Sequence, residues 1–173
     1  MAADTSSPRD TLRSFIESCN EFSKIIQKQE YLDDQNPEHM ALAHRILDCI
    51  DTSQLPEFSR VEHSAEVAVC IKEILDRVQL PPWEEIPDVE EIQEAGGYEL
   101  LSRWRIPDTR ITIARMEEGL QKHEYLFSAG TVNRAVDYYE SIKFKTYRTD
   151  EPEASPGLHE WYLSAPRTPM LGK

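Results

Sequence analysis

The sequence predicts an α+β protein in which an N-terminal antiparallel bundle of about three helices packs with a small antiparallel three-stranded sheet, which a helix follows. Two observations lead to this prediction. Through the first 80 residues, apolar side chains recur every three or four positions, as in amphipathic helices. Between residues 101 and 127, short alternating runs are separated by turn residues, as in hairpins. The length of 173 residues suits one domain, or one domain with an appended helical subdomain.

Composition divides the chain into three stretches: a helical bundle over residues 1–80, an acidic Pro-rich connector over 81–102, and a β-meander, helix and Pro-rich tail over 103–173. We expect them to form one cooperative unit. Residues 1–102 hold 22 acidic and 8 basic side chains, and residues 103–173 hold 10 and 11, which gives −14 and +1 and recovers the total of −13. This balance argues against a nucleic-acid partner and against adsorption to an anionic membrane surface.

The first helix is predicted to start at Ser7-Pro8, because Ser7 can accept a hydrogen bond from the amide of residue 10 and proline suits the first helical position. We expect this helix to end near Tyr31. Its apolar residues form one stripe, as the spacing of three and four requires. The stripe consists of Leu12, Phe15, Ile16, Cys19, Phe22 and Ile26.

Two further amphipathic helices follow. The second begins at Asn36 or Pro37, and the third runs from residue 59 or 60 to 78. Short loops join the three helices, which predicts antiparallel packing. The predicted inward residues are Met40, Ala43, Ile46, Leu47 and Ile50 in the second helix, and Val61, Ala65, Ala68, Ile71, Leu75 and Val78 in the third.

The connector is rich in proline and carries seven carboxylates between Arg77 and Arg103, with no lysine or arginine among them. Prolines at positions 81, 82 and 87 favour an extended path. Two interpretations remain open: a weak cation site or acidic partner patch, or a solvated connector with a short helix near residues 89–95. The oxygen-ligand spacing of a helix–loop–helix calcium site is absent from this stretch.

The second half of the chain predicts three strands, at residues 101–106, 111–117 and 124–127. In the first strand Trp104 and Ile106 point one way and the neighbouring arginines point the other way. Ser128 is expected to cap a helix that ends at Ile142 or Lys143. In the Pro-rich tail, Leu158, Trp161 and Tyr162 predict a helical turn that attaches the tail to the body.

Four arginines of the predicted hairpin form the candidate interaction surface: Arg103, Arg105, Arg110 and Arg115. One interpretation is that they clamp an acidic partner through bidentate pairs, for which the planar guanidinium is suited. The other interpretation is that they pair internally with the acidic helical half and so hold the two halves together.

Catalytic, metal-binding and cofactor-binding signatures are absent from the sequence. It contains no G-x-S-x-G, H-E-x-x-H, Walker or Rossmann pattern, and its five histidines sit at no metal-ligand spacing. We therefore expect no catalysis, no cofactor and no metal. The three cysteines, Cys19, Cys49 and Cys70, lie in helix-like apolar stretches and are expected to be buried free thiols, although one pair could bridge in an oxidising compartment.

Residues 103–139 carry a family resemblance. The strings R-W-x-I-P-x-T-x-I-T-I-A-R-x-E-E-G and E-Y-L-F-S-x-x-T-V-x-R-A-x-x-Y-Y-E resemble the extracytoplasmic N-terminal domain of large proteins in the small-conductance mechanosensitive ion channel (MscS-like) family. Residues 4–12, 71–82, 85–88 and 155–164 are similar to other parts of the same region, in the same order. These motifs are structural, so no functional residue is carried over from the family.

The resemblance implies a periplasmic or extracytoplasmic domain, tethered to the membrane in a parent protein. It would have an accessory or assembly role through contacts with the membrane-embedded channel part or with other channel subunits. This chain shows no signal-peptide pattern and no run of about 18 apolar residues, so we expect no membrane insertion by the chain itself. The alternative is a free-standing periplasmic or cytoplasmic ligand-binding module or enzyme, with a cleft between the acidic and arginine-rich parts.

Overall fold

A computed structural model describes residues 2–29 and 33–165 of the chain. In this part of the chain, helices α1 to α4 precede a three-stranded antiparallel sheet, and helices α5 and α6 follow it, which confirms the predicted α+β class. The elements are α1 (Pro8–Gln29), α2 (Pro37–Leu47), α3 (Arg60–Leu75), α4 (Val89–Glu94), β1 (Arg103–Arg105), β2 (Thr112–Arg115), β3 (Tyr125–Phe127), α5 (Ala129–Ile142) and α6 (Leu158–Ser164). Single 3-10 turns at Glu57–Ser59 and Trp83–Glu85 precede α3 and α4.

The start of α1 and its apolar stripe are confirmed. The Ser7 hydroxyl accepts a hydrogen bond from the Asp10 amide at 3.1 Å, which satisfies one of the amides that lack a partner at a helix start. All six residues of the predicted stripe are buried. The predicted end near Tyr31 lies outside the described residues.

Helix α3 differs from the prediction in length and in surroundings. It ends at Leu75, not at Val78, and Val61 near its start is exposed. From Val67 onward the helix is buried on all sides, because α2, α5 and α6 all pack against it. A helix enclosed in this way is a central core element and not one member of an amphipathic bundle. The predicted three-helix bundle is therefore incomplete, since helices from the second half of the chain complete it.

The sheet has the order β1-β2-β3, and its strands are shorter than predicted. Trp104 pairs with Ile113, and Ile113 pairs with Phe127, so these three side chains share the face that packs toward the core. The Phe127 ring meets the Phe15 ring of α1 edge-on, with 5.0 Å between centroids. The sheet is thus covered by the first helix of the chain.

The connector is part of the packed body. Ile86 and Ile92 are buried in the core, and α4 is capped by Asp88, whose carboxylate accepts from the Glu91 amide at 3.0 Å. The helix predicted near residues 89–95 is therefore confirmed. Arg9 of α1 pairs with Asp88 at 3.2 Å and with Glu91 at 2.9 Å. Two of the seven carboxylates of this stretch therefore form ion pairs with α1, which the interpretation as a solvated connector did not include.

The predicted helical turn of the tail is confirmed as α6, which packs on α3. Residues 166–173 of the predicted Pro-rich tail lie outside the described residues. None of the helices in residues 2–29 and 33–165 has both the length and the apolar character that crossing a bilayer requires.

All three cysteines are buried and free, as predicted. Burial raises the pKa of Cys19 and of Cys70 to about 12 and raises the pKa of Cys49 as well. Since the thiolate is the reactive form, these thiols are packing groups and weak nucleophiles.

Candidate functional site

The four candidate arginines do not share one surface. Arg103 and Arg105 pair across the ladder with Ala114 and Thr112, so they lie on the sheet face opposite the core, and both are exposed. Arg110 follows in the turn between β1 and β2 and is exposed as well. Strand alternation places Arg115 on the other face.

The guanidinium of Arg115 is already engaged within its own hairpin and with a nearby tyrosine. It pairs with Glu117 at 3.3 Å, contacts His123 Nδ1, and lies over the ring of Tyr98 at 5.1 Å from the centroid. These contacts fix the Arg115 side chain within the fold, and the sequence did not distinguish it from the other three arginines.

An open depression of about 330 Å³ lies between the sheet and the first turn of α5. Its floor is formed by Thr112 and Ala114, alternate residues on one face of β2, and by Met116 just after the strand. Arg103 and Arg110 line it from the sheet side, and Arg105 does not line it. The depression therefore brings three of the four candidate arginines together, because Arg115 lines it as well.

Hydrogen bonds fix the first turn of α5 against β2. The Ser128 amide donates to the Thr112 carbonyl at 2.9 Å, and the Thr112 amide donates to Thr131 Oγ1 at 2.9 Å. Ser128 Oγ caps the helix by accepting from the Thr131 amide at 3.2 Å, as predicted. In the described part of the chain the amides of Ala129 and Gly130 have no acceptor, so they remain available to the depression.

Arg134 also lines the depression, and sequence reasoning missed it. A Cβ built on Gly130 would lie 3.4 Å from Arg134 Nη1, so the Arg134 side chain folds back toward the start of α5. The signal was present in the sequence, because residues 130 and 134 are four apart and share a helix face. It was missed because only the apolar face of this helix was considered.

Three of the four arginines that line the depression have no ion pair in the described residues. Within residues 2–29 and 33–165, no carboxylate lies within 4.0 Å of the guanidinium nitrogens of Arg103, Arg110 or Arg134. The interpretation that Arg103 and Arg110 pair internally with the acidic half is therefore wrong for the described residues. Asp51, at the rim, accepts two hydrogen bonds from Ser53, at 3.0 and 2.6 Å.

The rim opposite the sheet comes from the helical half of the chain. Gln54, in the loop before α3, accepts from Asn133 of α5 at 2.8 Å, and the Asp51 amide donates to the Phe127 carbonyl at 2.9 Å. These contacts hold the loop over the first turn of α5. The groups that the depression offers are mainly cations and hydrogen-bond donors, which is the chemistry of anion recognition.

A second polar cluster lies at the end of α3 and has a structural role. We call Lys72, Glu73, Asp76 and Arg77 the α3 charge cluster. Lys72 Nζ pairs with Asp76 at 2.5 Å and Arg77 Nη1 pairs with Glu73 at 2.7 Å, and all four side chains are nearly inaccessible. Burial by itself would lower the pKa of Arg77. The hydrogen bond from Arg77 to Glu73 acts in the opposite direction, and the pKa of Arg77 is raised above its usual value.

The α3 charge cluster attaches the C-terminal segment to the body. Glu73 accepts from the Tyr147 hydroxyl at 2.6 Å and from the His159 amide at 2.8 Å. Asp76 accepts from the Ser155 amide at 2.8 Å. Burial, followed by the hydrogen bond to Glu73, raises the pKa of Tyr147 to about 12, so this phenol stays protonated as a donor.

Comparisons with known proteins found no match to this chain. No protein-family model matches the chain, and neither the curated proteins nor the solved structures include a significant match. In the described residues, no group of three or more His, Cys, Asp and Glu side chains is placed to hold a metal ion. Inferences about function therefore rest on the sequence resemblance and on the arginine-lined depression with its surroundings.

Proposed function

We propose that the chain is an extracytoplasmic domain of an MscS-like mechanosensitive channel protein and that it acts through protein contacts, without catalysis. Its partners would be the membrane-embedded part of the same parent protein or other channel subunits. The sequence resemblance supports this assignment, because its motifs extend over nearly the whole chain in the expected order.

The observation that carries the docking role is the set of exposed arginines on the outer face of the hairpin. Arg103 and Arg105 stand on the sheet face away from the core, and Arg110 adjoins them. A guanidinium without an internal carboxylate can form a bidentate pair with an acidic partner segment. The rest of the protein is strongly acidic, so this surface is the part of the chain suited to such a partner.

Reversing one charge on this surface should weaken docking and leave the fold intact. We expect Arg105→Glu to weaken binding to the channel part of the parent protein by about tenfold or more, because it replaces an attraction with a repulsion. The measurement is the dissociation constant between this chain and the rest of the parent protein in detergent. The pressure threshold for channel opening in membrane patches gives the functional readout.

Lys28→Glu is the matched control, since it changes the charge by the same amount at an exposed position of α1. Equal effects of the two variants would show that net charge matters and that the arginine face does not. If Arg105→Glu unfolds the chain in the absence of any partner, Arg105 has a structural role and the docking proposal fails.

A second candidate is a free-standing ligand-binding module or enzyme. One observation favours it: the depression lies between Asp51 and Gln54 of the acidic helical half and the arginines of the sheet. The reading frame of the parent gene separates the two candidates. The channel proposal predicts several apolar segments of about 20 residues encoded after residue 173. A stop codon soon after residue 173 would favour the free-standing module instead.

A further inference from the structure

We propose that the depression beside the first turn of α5 is a binding site for a phosphate-type oxyanion, held by Arg103, Arg110 and Arg134 and by the amides of Ala129 and Gly130. This site does not depend on which of the two functions above is right. It shares Arg103 and Arg110 with the docking surface, whereas Arg105 lies outside the depression.

The first step concerns charge. Four arginines and one aspartate line the depression, and the charge of one arginine, Arg115, is offset by Glu117. Asp51 contributes one negative charge at the rim, and Ser53 donates two hydrogen bonds to its Oδ1. Three guanidinium groups are left without a carboxylate partner in the described residues. Such a concentration of like charge is unfavourable unless an anion offsets it.

The second step concerns the position of Arg134. Its guanidinium folds back over the N-terminal turn of α5, against the position where a Cβ of Gly130 would stand. The N-terminus of a helix carries partial positive charge, so a cation placed there is repelled by its own helix. Helical side chains lean toward the N-terminus of their helix, and an anion bound here would interact favourably with both the Arg134 guanidinium and the helix end.

The third step concerns hydrogen bonding. Each guanidinium presents up to about five donors in a plane, and the two free amides add two more from a different direction. A carboxylate has two oxygens in one plane, whereas a phosphate has oxygens arranged tetrahedrally and carries up to two charges. Donors that arrive from the sheet, the turn and the helix therefore fit a phosphate better than a carboxylate.

The fourth step concerns size. The depression encloses about 330 Å³, which is at the lower end of the range of about 300–1,000 Å³ for small-molecule sites. It therefore has room for free phosphate with several waters or for the phosphate group of a small ester. Gly130 lines the depression, and its lack of a side chain leaves room for the Arg134 guanidinium beside the start of α5.

The test is a titration of the full chain with inorganic phosphate, followed by amide resonances, at an ionic strength held constant with chloride. We expect saturable shifts concentrated at Ala129, Gly130 and Thr131. Arg134→Gln should weaken the binding by about tenfold, because one charge-assisted hydrogen bond is lost. Arg105→Gln is the matched control and should change the affinity by less than about twofold.

Two outcomes would overturn the proposal: shifts spread evenly over the surface, or equal phosphate affinities of Arg134→Gln and the wild type. Titration with glycerol phosphate as a second ligand shows whether the site prefers a phosphate ester or the free phosphate anion. Tighter binding of the ester indicates a phosphate-bearing molecule, tighter binding of phosphate indicates the free anion, and both support the site. If acetate binds as tightly as phosphate, the assigned ligand class is wrong.

Thermal melting distinguishes an anion-binding role of Arg134 from a structural role, because the two roles predict opposite changes in the melting temperature of Arg134→Gln. At low ionic strength and without phosphate, Arg134→Gln should melt at or above the wild-type temperature, since a repulsion at the helix end is removed. A clear fall in melting temperature would show that Arg134 stabilises the fold and would contradict the argument. A phosphate titration of Arg110→Gln, a change at an exposed turn, tests the site independently of Arg134.

Discussion

Replacing Lys72 with methionine is expected to lower the free energy of unfolding by about 3–5 kcal/mol. The Lys72 ammonium is 0 % exposed and pairs with Asp76, which is 1 % exposed. Methionine fills a similar volume but leaves the Asp76 carboxylate buried without its cation, and desolvation of that charge then has no compensation. Urea denaturation followed by far-ultraviolet circular dichroism measures the loss.

Lys24→Met is the control, because Lys24 also pairs with the C-terminal segment, through Glu153, but is 69 % exposed. We expect this variant to lose no more than about 1 kcal/mol, since surface pairs contribute little. Adding Asp76→Asn to Lys72→Met should recover about 2 kcal/mol, because the buried charge is removed while an oxygen remains for the Ser155 amide. Equal losses for the two lysine variants would contradict the buried-pair argument.

The parts of the fold that the sequence predicted well are those set by local chemistry. The caps Ser7, Asn36 and Ser128 start their helices where expected, because each side chain accepts from an amide two or three residues ahead. The three strands lie within their predicted runs, and Trp104 and the two arginines of β1 lie on the predicted faces. These features depend on neighbours in sequence and are therefore readable from it.

The environment of α3 could not be read in the same way. Lys72 with Asp76, and Glu73 with Arg77, are four residues apart and look like ordinary surface pairs of an amphipathic helix. They are buried only because residues 145–164 return and cover that side of the helix, a contact about 80 positions away in sequence, as the Lys72–Ser155 hydrogen bond shows. No local pattern encodes such a contact.

The candidate site was half predictable. Strand alternation correctly placed Arg103 away from the core, and composition alone picked out Arg110. Arg115 lines the same depression as these two, but its contacts with Glu117, His123 and Tyr98 depend on how the hairpin folds and were not predictable. Arg134 joins the site from the next element, because the hydrogen bonds of Ser128 and Thr131 with Thr112 hold the start of α5 beside β2.

Contacts of β3 with the helical half show how the two halves of the chain depend on one another. Phe127, the last residue of β3, is the point where they meet. Its ring contacts Phe15 of α1, its amide donates to the Cys49 carbonyl at 2.8 Å, and its carbonyl accepts from the Asp51 amide at 2.9 Å. The first of these contacts depends on the side chain, whereas the other two need only the backbone.

Phe127→Ala is therefore expected to lower the free energy of unfolding by about 3–5 kcal/mol, the usual loss for truncating a fully buried aromatic residue. It also tests whether residues 1–80 and 103–173 form one cooperative unit. Native-state hydrogen exchange is the measurement, with the amides of α3 and of β2 as separate probes. If the halves are one unit, both sets of amides should lose the same free energy of protection.

Phe58→Ala is the matched control, because this ring is 95 % exposed and its removal should change stability by no more than about 0.5 kcal/mol. A Phe127→Ala variant in which only the β2 amides lose protection would show that the helical half is stable without the sheet. That result would separate the chain into two units. It would also leave the arginine-lined depression, which takes its rim from one half and its floor from the other, dependent on a weak contact between them.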